Sequence, residues 1–198
     1  MNSPATIALG VGHSRLIGQR REGGAQSVSG ASEWTYNADF ARMIAVELHD
    51  THGLLPVIID LYEGNGYSSA QRWLAAHLRS LGNIKLAVEL HFNWSDTPAA
   101  SGHEWLCWHA SKAGHAAAMH LHLAMCAAFP ELPARGVKPR NSGHRGAEFL
   151  RLTHCPAVIA EPFFGSCPRD WMLATGAKIT LARAMAAGIA ASQSPSLL

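Results

Sequence analysis

The chain has 198 residues, enough for one sizeable core, and 48% of them are hydrophobic, an ordinary globular share. A formal charge of only +2 with no long basic run argues against nucleic acid as a partner. No apolar run is long enough to span a bilayer and no charged segment leads into an apolar one at the start, so neither membrane insertion nor an export signal is expected. In chain order, residues 5–13 read as a strand and 14–32, rich in Gly, Ser and Arg, as a loop. Residues 33–53 carry apolar side chains at helical spacing (Phe40, Ile44, Leu48) and end at Gly53. A strand over 54–61, a turn over 63–69 and a helix over 69–81 follow, then strands over 84–93 and 103–110. An Ala-rich helix spans 112–128, a Pro-, Gly- and Arg-rich loop 130–146, a strand 155–164 and a closing helix 168–190, before a frayed tail over 192–198. Strands alternating with helices predict a single α/β domain over 1–198 with its core at about 5–190. Its sheet is mostly parallel and twisted, of about five or six strands, with helices on both faces. Such sheets build their sites beyond the carboxyl ends of the strands.

The strand over 84–93 is where chemistry first shows. Ile84, Leu86, Val88, Leu90 and Phe92 form a packed face, while Glu89, His91 and Asn93 occupy the alternate column. Three strands finish on a reactive residue, namely His13, His91 and Glu161, and Glu33 opens the first helix. Two imidazoles and a carboxylate suit a catalytic zinc, which takes three protein ligands and keeps one position for water. A further carboxylate would serve as that water's general base. Taken singly, each residue has a plainer reading. A strand-end His can simply be hydrogen-bonded, Glu33 can complement the helix dipole, and Glu161 can be a loop acid.

Competing patterns are incomplete. Ser14 in "VGHSR" lacks the second Gly of a nucleophile elbow, because Leu16 stands there. "HEWLC" at 103–107 begins like HExxH but has Cys107 in place of the second His. His120 and His122 lie two apart on a helix and face different directions, while His115 and His122 are two turns apart. Cys107, Cys126, Cys155 and Cys167 show no CxxC spacing and read as reduced, mostly buried thiols.

These residues resemble a known family, the zinc-dependent N-acetylmuramoyl-L-alanine amidases of bacterial cell-wall hydrolases and phage endolysins. "VGHS" matches the family's Gly-His after the first strand. "SEWTYNADFARMIAVEL" matches its helix-opening Glu and "VELHFN" its His-x-Asn. "FLRLTHCPAVIAEPFFGSCPRDW" is similar to its closing segment. The resemblance spans about residues 7 to 190. It implies one zinc per chain held by His13, Glu33 and His91, with Glu161 as the catalytic carboxylate. It implies hydrolysis of the amide between N-acetylmuramic acid and L-alanine of the stem peptide, in peptidoglycan or in muropeptide fragments.

The chain departs from the family in places. Glu89 stands where members often have a small hydroxyl residue. It reads as an acid behind His91 that orients the ring, as a spare ligand, or as surface. Asp60-Leu61 replaces a frequent Thr-Arg, and Cys167 lies near a usual Asn. Asn93 and Arg140 are candidate substrate contacts. The basic stretch 134–146, with Arg135, Lys138, Arg140 and Arg145, either meets stem-peptide carboxylates or is an ordinary solvated loop. Trp94 and Trp105 either line a groove or pack in the core. Other readings are a zinc amidohydrolase for a small N-acylated amino acid and a non-catalytic wall-binding module. Without an export signal, the protein is expected to be made in the cytoplasm and to act there on wall fragments, or on the wall after release in phage-type lysis. Oligomeric state is not readable.

Overall fold

The computed structural model describes residues 5–97 and 99–194. Strand β1 (Thr6–Val11) leads through a small hairpin, β2 (Leu16–Ile17) and β3 (Arg20–Arg21), into helix α1 (Glu33–Asp50). Then come β4 (Leu55–Ile59), α2 (Tyr67–Ser80), β5 (Ile84–Leu90), β6 (His103–Trp108) and α3 (Lys112–Ala128). β7 (Ala134–Arg140), α4 (Ala147–Leu152), β8 (Ala157–Glu161), α5 (Pro168–Gly176) and α6 (Lys178–Gln193) complete the chain. The main sheet has six strands in the order β4-β1-β5-β8-β6-β7. Every neighbouring pair is parallel except β6–β8, which is antiparallel.

Strand alternation divides the core between two faces. Ile7, Leu9, Val11, Leu86, Val88, Leu90, Val158 and Ala160 pack with residues of α1, α3 and α6. Ala8, Ala87, Leu106, Ala157 and Ile159 pack with α2 and α4 on the opposite face. The α1 stripe Phe40, Ile44 and Leu48 is fully buried, and each of these side chains contributes on the order of 1.5–3 kcal/mol. The helix starts where Ser32 caps it, its side chain accepting from the Thr35 N–H.

The expected fold class holds, and several local expectations change. The loop expected over 14–32 contains the β2–β3 hairpin, and that over 130–146 contains β7. β7 lies at the sheet edge, where Pro139 and three cationic side chains are tolerated, and those residues disguise it as a loop. The closing helix divides at Ala177, which ends α5 and begins α6. α4 was not expected at all. Ile84 leaves the face of Leu86 for the opposite core, because the β1–β5 register shifts between Thr6 and Ile7. The expected tail is helical as far as Gln193, and residues 195–198 lie outside the described residues. Among the described residues no helix is long and apolar enough to cross a membrane.

Candidate active site

Three parallel strands end side by side, and their carboxyl edge carries the site. His13 follows β1 in a turn with φ 59°, a left-handed conformation that a non-glycine residue holds only where its surroundings impose it. His91 and Asn93 follow β5, and Asn93 extends the pairing by bridging to Phe164 after β8. Glu33, first residue of α1, turns its side chain inward and is buried. Its Oε1 lies 2.8 Å from His91 Nδ1 and its Oε2 3.3 Å from His13 Nε2. The Phe92 and Ala25 backbone N–H groups also donate to it, at 3.1 and 3.2 Å. Two glycines make room. A β-carbon at Gly12 would run into the His91 ring, and one at Gly24 (φ 72°) would come within 2.7 Å of Glu33 Oε2.

One donor atom from each of His13, Glu33 and His91 lies within 4.8 Å of the other two. The set fits a divalent cation. It offers two nitrogens and one carboxylate oxygen, and the partners of the buried Glu33 are imidazoles and backbone N–H groups, not Lys or Arg. Burial opposes charge on Glu33, yet the His91 hydrogen bond and both imidazoles outweigh it and hold the carboxyl below its ordinary range. Burial likewise opposes the His91 imidazolium, and Glu33 and Glu89 overcome it, raising that ring well above the usual value. Burial dominates at His13 and lowers it.

Glu161 ends β8 on the same edge. Its Oε2 accepts from Asn93 Nδ2 at 2.9 Å. Antiparallel pairing sets Glu104 of β6 directly opposite it. Glu104 is held by Arg135 (Nε–Oε2, 2.6 Å), with the Arg140 Nη2 4.0 Å from its other oxygen. Burial and the Glu104 carboxylate push Glu161 up to about 7, against the attraction of His91. Arg135, by hydrogen bond and charge, keeps Glu104 low despite burial.

These groups line one cleft of about 800 Å³. The structure brings together all seven residues singled out in the sequence: His13, Glu33, Glu89, His91, Asn93, Arg140 and Glu161. Arg145 and the half-exposed Trp94 also line it, while Trp105 is buried in the core. Ser14 is buried, its hydroxyl donating to the Val11 carbonyl and accepting from the Trp34 indole, so it is a structural pin. Glu104, Tyr62 and Gln71 escaped the sequence reading. Alternation along "HEWLCW" does put Glu104, Leu106 and Trp108 on one face, but nothing in the sequence says that β6 runs antiparallel beside Glu161. All four cysteines are free, with Cys107 and Cys167 buried and the other two partly so.

A mostly parallel α/β sheet with imidazoles and carboxylates gathered in a cleft at its carboxyl edge is the framework of an α/β enzyme. The chain belongs to the N-acetylmuramoyl-L-alanine amidase family, whose sequence model matches residues 7–191, and it is on that ground a peptidoglycan amidase. Its fold is similar to the catalytic domain of CD27L, an endolysin targeting Clostridia difficile (TM-score 0.78, 23% identity, 93% of this chain and 96% of that one). It is also similar to the catalytic domain of CwlV from Bacillus (Paenibacillus) polymyxa (0.71, 22%, 95% and 95%) and to Ami1 from Mycobacterium smegmatis (0.74, 20%, 95% and 96%). A comparison with curated protein sequences finds no match.

Proposed function

We propose that this chain is a single catalytic domain that hydrolyses the amide between the lactyl group of N-acetylmuramic acid and L-alanine. His13, Glu33 and His91 hold one zinc ion in this reading, and Glu161 is the general base and then the general acid. The observation that carries it is the convergence of a His–Glu–His donor set and a separate buried carboxylate on one cleft. Bound zinc supplies Lewis acidity and brings the pKa of a bound water to about 7. Glu161, held by Asn93 and poised at about 7 by burial, takes a proton near neutrality and returns it to the departing amine. Glu104, anchored by Arg135, stands opposite Glu161 and its charge helps to raise that carboxyl. Arg140 lines the cleft, and its guanidinium is the group that would meet a stem-peptide carboxylate.

The breadth of the cleft favours peptidoglycan or muropeptide fragments over a small N-acylated amino acid. Phage-type lysis and the processing of wall fragments are both compatible with this site. Digestion of purified peptidoglycan, with mass spectrometry of the products, tests the reading. New L-alanine amino termini should appear and should vanish when zinc is chelated. Glu161→Ala should keep one zinc per chain and lose turnover by about 10²–10⁴-fold. Cleavage at a sugar linkage, or full activity in Glu161→Ala, would overturn the reading.

A further inference from the structure

Glu89 is 2% exposed, and among the described residues no Lys or Arg pairs with it. A buried carboxylate without a Lys or Arg partner is costly, so its surroundings indicate what it is for. Its Oε2 lies 3.4 Å from His91 Nε2. Its Oε1 accepts from Gln71 Nε2, itself buried, at 3.4 Å. The buried Tyr62 hydroxyl, which makes no hydrogen bond among the described residues, lies on the same side, and Gly10 provides the room, since a β-carbon there would lie 2.7 Å from that hydroxyl and 3.6 Å from Glu89 Cγ. Side chains from the segment after β4, from α2 and from β5 thus converge on one carboxylate that touches one imidazole.

The His91 ring has a carboxylate at each nitrogen. Nδ1 points to Glu33 and the donor cluster, and Nε2 points away to Glu89. A neutral imidazole carries one N–H and one lone pair, and a carboxylate only accepts. Once a cation takes the place of the proton on Nδ1, the one remaining N–H is on Nε2, where Glu89 is its acceptor. We propose that Glu89, held by Gln71 and packed beside Tyr62, is a positioning residue for the metal centre, accepting the outer N–H of a metal-bound His91 and fixing its tilt in place of the small hydroxyl often found there. This rests on the zinc reading above.

The test is zinc affinity, measured by competition with a chromogenic chelator, together with the absorption spectrum of the cobalt-substituted protein. Glu89→Met should bind zinc 10–100-fold more weakly than wild type. Glu89→Gln, which keeps an acceptor oxygen, should recover part of that loss. Both should leave the cobalt ligand-field bands unchanged, because the set of ligands is the same. Circular dichroism of the metal-free variants checks that each is folded, and Tyr62→Phe gives an independent, smaller loss if either is not. Equal zinc affinity in wild type and all three variants would overturn the proposal. So would altered cobalt bands in Glu89→Met, which would make Glu89 a ligand. If wild type itself binds no zinc, the metal reading fails and this inference falls with it.

Discussion

Two groups of side chains each bring three donor atoms within 4.8 Å of one another, His13–Glu33–His91 at the cleft and His103–His122–Cys126 between β6 and α3. They differ in what stands behind the rings. In the first, a carboxylate lies at each nitrogen of His91, so a cation that takes the place of the proton on Nδ1 leaves an N–H on Nε2 with Glu89 as its acceptor. In the second, the Trp105 indole N–H donates to His103 Nδ1 at 3.1 Å. Burial also pulls His103 down to about 4, so the ring is neutral and its single hydrogen sits on Nε2. That nitrogen is the one 3.9 Å from the Cys126 sulfur. A cation there would have to displace the hydrogen while Trp105, buried in the core, keeps the other nitrogen occupied. Donor types at ligand spacing do not by themselves make a metal site; the group behind each imidazole decides which lone pair is free.

The largest effect that could break this contrast is on metal content. His13→Ala should reduce zinc from one per chain to none and lower hydrolysis by at least about 10³-fold, the several kcal/mol that a catalytic metal supplies. His122→Ala and Cys126→Ser should keep one zinc per chain and near wild-type activity. Elemental analysis of the purified variants decides it, and loss of zinc from Cys126→Ser would reverse the two roles. A smaller effect should follow from Trp105→Phe. Without the indole donor, the hydrogen on His103 can move to Nδ1 and free Nε2. Calorimetric titration should then show a second zinc, bound weakly, because the displaced N–H lacks an acceptor and leaving it unsatisfied costs about 1–3 kcal/mol. A single binding event in Trp105→Phe would mean that something other than the indole closes the cluster.

The contrast also separates what was legible in the sequence from what was not. His13, His91 and Glu161 were readable because each follows a strand with a well-marked apolar face, and α/β sheets gather such ends at one edge. Glu33 was readable as the first residue of a well-patterned helix. Glu104 was not, since its nearness to Glu161 comes from an antiparallel pairing between strands more than fifty positions apart, and tertiary register leaves no local trace. β7 was hidden by the Pro and charged residues that an edge strand tolerates. His122 was set aside against its helical neighbours, but its partners proved to be His103 across the α3–β6 contact and Cys126 one turn on. Trp105 read more readily as core than as groove, and it is buried, but only its contact with His103 shows what its indole does.

The smallest expected effect is on the pH dependence of stability in the metal-free protein, where the two regions pull in opposite directions. Glu161 has its folded pKa raised from 4.5 to about 7, chiefly by burial, so the native state binds this proton more tightly than the unfolded chain. Its contribution is fully present below pH 4.5 and is lost as pH rises through 7. His103 has its folded pKa lowered from 6.5 to about 4, again by burial, so its contribution is present above pH 6.5 and is lost as pH falls through 4. Relative to wild type, Glu161→Gln should therefore gain stability steadily between pH 4.5 and 7. His103→Gln should give its greatest relative gain on the acid side, between pH 6.5 and 4. Urea denaturation of chelator-treated protein across that range measures both differences. Parallel slopes for the two variants would show that burial does not set the protonation of these groups as described, and the account of a neutral His103 locked by Trp105 would lose its basis.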